Sequence, residues 1–141
     1  MALADGRLVV FTEELKVSGG LAAWVQDGAG GFAGFTYAPA PGFAPTSAAR
    51  LPSGDVLVLE RQFTIFQRSA RVVRVAASDL RGGARIVGTE LALIANPLTI
   101  DNMEGIAVVA VGDGAALVFL ISDDNFSVVQ RTLLLVFRYA G

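Results

Sequence analysis

The sequence predicts an all-β, antiparallel fold, and three observations carry that prediction. Runs such as Leu117-Val118-Phe119-Leu120 and Leu133-Leu134-Leu135-Val136-Phe137 are apolar at every position. A strand with one wet face would alternate, so these strands belong in sheets covered on both sides. Turn chemistry separates the runs, as at Asp5-Gly6, Pro52-Ser53-Gly54-Asp55 and Gly112-Asp113-Gly114. No stretch has the helical periodicity and length needed to cover such sheets, so sheets must cover sheets.

In chain order, Ala4-Asp5-Gly6-Arg7 reads as a hairpin turn with no strand before it, and Leu8 to Thr12 as the strand that follows. Ala22 to Gln26 and Gly34 to Tyr37 are short strands on either side of the corner Asp27-Gly28-Ala29-Gly30-Gly31. That corner lacks the Gly-Lys-Ser/Thr opening of a phosphate-binding loop and is read as a hairpin connection. Ala38 to Pro45 carries prolines at 39, 41 and 45 and is expected to be a connector. Ser47 to Leu51 leads into the Pro52-Ser53-Gly54-Asp55 turn, Val56 to Leu59 and Arg71 to Val75 are strands joined by a longer loop, and Arg85 to Thr89 is expected to be the fourth strand of that unit. Met103 to Ala110, Ala115 to Ile121 and Thr132 to Tyr139 complete the chain.

Composition narrows the chemistry. The length of 141 residues suits one domain spanning 1–141. Hydrophobic residues make up 53% of the chain, which excludes disorder as its main state. The longest apolar region, Ile106 to Ile121, is broken by the Gly112-Asp113-Gly114 turn, so no membrane span is expected. A net charge of −2 and a single lysine, Lys16, argue against nucleic acid as a partner. The absence of cysteine removes disulfides and thiolate metal sites. The absence of histidine removes Ser-His-Asp catalysis and imidazole-ligated zinc. No basic-then-apolar signal peptide opens the chain.

The strands fall into groups of three or four, roughly 40–50 residues per group, which is the period of a propeller blade. The expectation is a partial β-propeller of about three blades, with a β-sandwich as the alternative. The first group lacks its innermost strand and the last its outermost, as a slice of a larger propeller would.

Three motifs carry a resemblance. These are Leu51-Pro52-Ser53-Gly54-Asp55-Val56-Leu57-Val58-Leu59-Glu60-Arg61, Asp101-Asn102-Met103-Glu104-Gly105-Ile106-Ala107, and Ile121-Ser122-Asp123-Asp124-Asn125-Phe126 with Gln130-Arg131-Thr132-Leu133. In this order they resemble the C-terminal half of the phytase-like family, also described as "esterase-like activity of phytase". The resemblance implies a β-propeller-like fold, a hydrolase ancestry and an exported, periplasmic or extracellular setting. It also implies that the family's N-terminal half is missing here.

Asp101, Glu104, Asp123 and Asp124 are the candidate metal ligands. Pairing the two strands through Gly112-Asp113-Gly114 would bring both acidic corners to one end of the sheet, and calcium takes six to eight hard oxygens from such loops. Calcium there would screen a substrate's charge and activate water. The competing reading is plain turn chemistry, in which Asp and Asn bond to nearby backbone. Glu60, Arg61, Asn125 and Arg131 are candidate contacts for a small ester or phosphate, with packing and corner ion pairs as the alternative. No catalytic residue is assigned, and Ser122 lacks both a base and a nucleophile elbow. The readings are a calcium-assisted phosphoric or carboxylic ester hydrolase, a non-catalytic binding module, or an inactive truncated fragment. Leu8 to Phe11 and Leu133 to Phe137 would be exposed on the end sheets of a slice, so a homo-oligomer joined through those sheets is expected.

Overall fold

The computed structural model describes residues 1, 3, 5–63 and 68–141, the side chain of Phe63 excepted. Its strands are β1 (Val9–Val17), β2 (Gly20–Gln26), β3 (Phe32–Tyr37), β4 (Ala44–Arg50), β5 (Val56–Phe63), β6 (Arg68–Val75), β7 (Arg85–Ile86), β8 (Thr89–Ala95), β9 (Met103–Gly112), β10 (Ala115–Ser122) and β11 (Leu134–Tyr139). They form three sheets, ordered β1-β2-β3-β7, β4-β5-β6-β8 and β11-β10-β9. Strand pairing is antiparallel throughout, except between β3 and β7. Among the described residues the only helical segment is a single 3₁₀ turn at Ala77–Asp79.

The middle sheet explains the doubly apolar strands. Along β5, Val56 and Val58 enter one core with Val9, Val25, Phe35 and Tyr37 from the first sheet. Leu57 and Leu59 enter a second core with Met103, Ile106, Val118 and Leu120 from the third. All four β5 side chains are fully buried. At about 1.5–3 kcal/mol for each, this burial is a main adhesive between layers. A two-sheet sandwich has one core; here one sheet separates two. The layers also meet along edges, with β4 packed against both β1 and β9. Thr46 Oγ1 donates to the Met103 carbonyl at 3.1 Å across that seam.

Turn chemistry places the corners as expected. The Asp27 carboxylate accepts from the Ala29 and Gly31 amides at 2.9 and 2.8 Å, closing the β2–β3 connection. Asp113 sits at φ 51° between two left-handed glycines, closing the β9–β10 hairpin.

Three expectations need correction. A strand, β4, occupies Ala44–Arg50, where a proline-rich connector was expected to run to Pro45. It is an edge strand, and its pairing with β5 shifts register between Pro45 and Ser47, which accommodates a residue with no N–H to donate. Arg85 to Thr89 is not one strand. Arg85–Ile86 crosses to pair parallel with Thr36 and Tyr37 of the first sheet, and the fourth strand of the middle sheet is Thr89–Ala95. The crossing passes at Gly88, where a Cβ would stand 2.2 Å from Val73 Cγ1 and 2.9 Å from the Arg74 carbonyl. Among the described residues no strand precedes the N-terminal turn, as expected, although Met1 and Val9 exchange two backbone bonds at 2.9 Å and the Leu3 amide donates to the Arg7 carbonyl at 2.7 Å. The last strand begins at Leu134, because Leu133 closes the preceding loop. The expected turn residue Ala4, and residues 64–67 of the longer loop expected between Leu59 and Arg71, lie outside the described residues.

The end sheets carry exposed apolar side chains. Leu8 and Val10 are exposed, although Val9 between them is buried. On the outer face of the third sheet, Val109, Ile121, Leu134 and Val136 are each 45–62% exposed.

Candidate functional site

Arg61, Asn102 and Glu104 of the sequence motifs meet where the three sheets converge. Residues 56, 58 and 60 of β5 point toward the first sheet and 57, 59 and 61 toward the third, so Glu60 and Arg61 serve different environments.

Arg61 ties the layers together. Its Nη1 donates to Asn102 Oδ1 and to Glu104 Oε1 at the start of β9, and its Nη2 reaches Glu13 Oε1 on β1 at 2.8 Å. One guanidinium on the middle sheet thus holds carboxylates from both outer sheets, with its side chain 22% exposed. Arginine suits this position because its planar fork offers five donors.

Asp101 lies beside this hub and is buried. Its Oδ1 accepts from Arg68 Nη1 at 3.1 Å and from the Asn102 amide at 3.0 Å. Its Oδ2 accepts from the Arg131 amide at 3.0 Å, drawing the β10–β11 loop onto the corner. Burying a carboxylate is costly unless its oxygens are bonded in this way.

Asp123 and Asp124 do fall at the same end of the β9–β10 hairpin as Asp101. Ser122 pairs with Met103, and the Asp123 amide donates to the Asn102 carbonyl at 2.9 Å. Their carboxylates serve the loop itself. Asp123 Oδ1 accepts from the Asn125 amide and Asp124 Oδ1 from the Phe126 amide, both at 2.9 Å. Asp124 Oδ2 accepts from Thr132 Oγ1 at 3.1 Å. These bonds hold Asn125 and Phe126 at left-handed φ of 50° and 54°. Asn125 is exposed and bonds Gln130 through its amide, while Arg131 contributes its backbone and leaves its side chain exposed. Ser122 Oγ donates to the Arg131 carbonyl and accepts from the Leu133 amide, which closes the loop.

Calcium would need six to eight hard oxygens at this corner. Among the described residues no three Asp or Glu side chains gather as a cation site requires. The Asp101 and Glu104 carboxylates are already held by Arg68 and Arg61. As arranged, the corner does not fit the ion.

Glu60 anchors a second polar chain, between the first and second sheets. Tyr37 Oη donates to Glu60 Oε1 at 2.6 Å, and Arg71 Nη1 donates to Glu60 Oε2 at 2.7 Å. Arg71 Nε continues to Glu90 Oε2 at 2.6 Å, and the guanidinium stacks 5.2 Å from the Phe43 ring centroid. Burial pushes the Glu60 carboxyl up, against the opposing pull of the Tyr37 hydrogen bond and Arg71. Burial and the adjacent Glu60 push the Tyr37 phenol up as well, so it stays a donor.

The sequence did not single out Glu13, Tyr37, Arg68, Arg71, Glu90 or Asn102. Asn102 sat inside a quoted motif. Arg71 lay in a recognised strand with a polar residue at every third position, which hid its pairing with Glu60. Glu13 and Arg68 have no local signal, since their partners are 48 and 33 residues away.

The family model for "Phytase-like: Esterase-like activity of phytase" matches residues 1–126. The chain belongs to the phytase-like family. The match spans all three motifs up to Phe126, and with them the Arg61 hub, the Asp101 corner and the first turn of the β10–β11 loop. No curated protein and no solved structure matches the chain. Within the phytase-like chain, no helix of the described residues is long and apolar enough to cross a membrane.

Proposed function

We propose that this phytase-like chain is an ester-hydrolase module whose three sheets form an arc of β-propeller-type blades. The polar centre is the junction of Arg61, Asn102, Glu104 and Asp101. The observation that supports this reading best is that the family match covers the two sequence segments whose side chains converge there. The substrate class is a small carboxylic or phosphoric ester. Glu104 and Glu13 are partly exposed carboxylates that can give up Arg61 to an anionic group, and Arg61 is built to take an oxyanion bidentately. Asn125 and Arg131 lie on the adjoining loop and are proposed as outer contacts. Hydrolysis of p-nitrophenyl acetate and of p-nitrophenyl phosphate tests the reading; turnover of neither would remove it.

Calcium belongs to this proposal only in a rearranged corner, where Asp101, Glu104, Asp123 and Asp124 exchange arginine for the ion. Arg68 then competes with the cation. Calcium is expected to raise the melting temperature, and to raise it further in Arg68→Gln. No rise in either protein would take calcium out of the account.

A second reading is a non-catalytic binding module. It is favoured by the full use of Asp101, whose carboxylate bonds to three donors and so acts as a brace. The proposal also includes self-association through the apolar end sheets, where Val109, Ile121, Leu134 and Val136 are exposed on one face.

A further inference from the structure

The 38–41 segment walls a cavity of about 240 Å³ together with Glu60, Arg71, Val73, Arg85 and Val87. The cavity adjoins a cleft of about 630 Å³ that shares Arg85 and residues 38–40. Its two arginines differ. Arg71 is matched by two carboxylates, Glu60 and Glu90. Arg85 donates through Nε to the Gly19 carbonyl at 3.2 Å, and among the described residues no carboxylate pairs with it. The terminal nitrogens of Arg85 and the Nη2 of Arg71 therefore keep N–H donors to offer. The rest of the wall is aliphatic, formed by alanine, proline and valine.

We infer that this cavity binds a short-chain aliphatic carboxylate, its oxygens on Arg85 and its tail against Val73 and Val87. Charge selects the class. The charged side chains lining the cavity are Arg71 and Arg85 against Glu60, one net positive charge, which a monoanion neutralises and a phosphate dianion overshoots. Size agrees, since the cavity lies below the roughly 300–1,000 Å³ of drug-sized sites and suits a chain of a few carbons. Such a carboxylate is the acid half of a carboxylic ester. The inference thus deepens the ester-hydrolase reading, on which its link to turnover rests, while the binding stands on the cavity alone.

Calorimetric titration of the whole chain with acetate, butyrate and inorganic phosphate at fixed ionic strength tests it. Butyrate is expected to bind with Kd on the order of 1 mM. It should bind roughly tenfold tighter than acetate, from two more buried methylenes, and tighter than phosphate. Arg85→Gln should weaken butyrate at least about tenfold, and Val87→Ser should narrow the butyrate–acetate gap, with melting temperatures verifying that both variants fold. Equal affinity for acetate and butyrate, tightest binding of phosphate, or an unchanged Arg85→Gln would overturn the inference. Butyrate binding without ester turnover would count against the hydrolase reading alone, and turnover without butyrate binding against this site alone.

Discussion

Glu60 and Arg61 are neighbours in sequence that hold different pairs of sheets. Arg71→Met would leave Glu60 buried without its guanidinium, and a cost of about 3–5 kcal/mol in urea unfolding is expected. Because burial raises the Glu60 carboxyl, the folded chain binds more protons than the unfolded one just above the ordinary carboxylate range. Stability therefore falls as pH rises through that window. Glu60→Gln removes the titration and keeps an acceptor for Tyr37. The variant should gain on the parent in melting temperature as pH rises above the ordinary carboxylate range; a gap that does not change with pH would refute the assignment. Arg61→Met should cost about 1–3 kcal/mol, less than the Arg71 change, because Glu13 and Glu104 can turn to water.

At the scale of elements, the glycines of close approach are the sharpest test. Gly88→Ala places a Cβ against Val73 and the Arg74 carbonyl where the chain crosses between sheets. A loss of about 1–3 kcal/mol is expected, read as a lower urea midpoint at unchanged slope. Most strands were legible because their burial is written into the side chains: Val56 to Leu59 must be covered on both faces, and they are. β4 was legible only from Ser47, where the segment leads into the Pro52 turn; its first residues, Ala44 and Pro45, read as connector and are held in the strand by the neighbouring β5 and β9. β7 was not legible, since two residues carry no periodicity and their parallel partner lies about fifty positions away. The same limit applies to the site. The turn roles of Asp123 and Asp124 are local and follow from residue type, whereas the bonds that join Arg61 to Glu13 and Glu104 depend on how the sheets stack.

For the whole molecule, the apolar outer face of the third sheet predicts association. A mass that rises with concentration in light scattering is expected, and Leu134→Lys with Val136→Lys should return it to the monomer without lowering the urea midpoint by more than about 1 kcal/mol. The central claim is that the junction where the three sheets meet is the working site of an ester hydrolase. Its most direct test is p-nitrophenyl ester turnover by the parent, Arg61→Lys and Arg61→Met, each shown to be folded at the assay temperature. The account predicts measurable kcat/KM in the parent, a loss of about tenfold or more in Arg61→Met, and partial retention in Arg61→Lys. Equal turnover by all three proteins, or none by the parent, would contradict it.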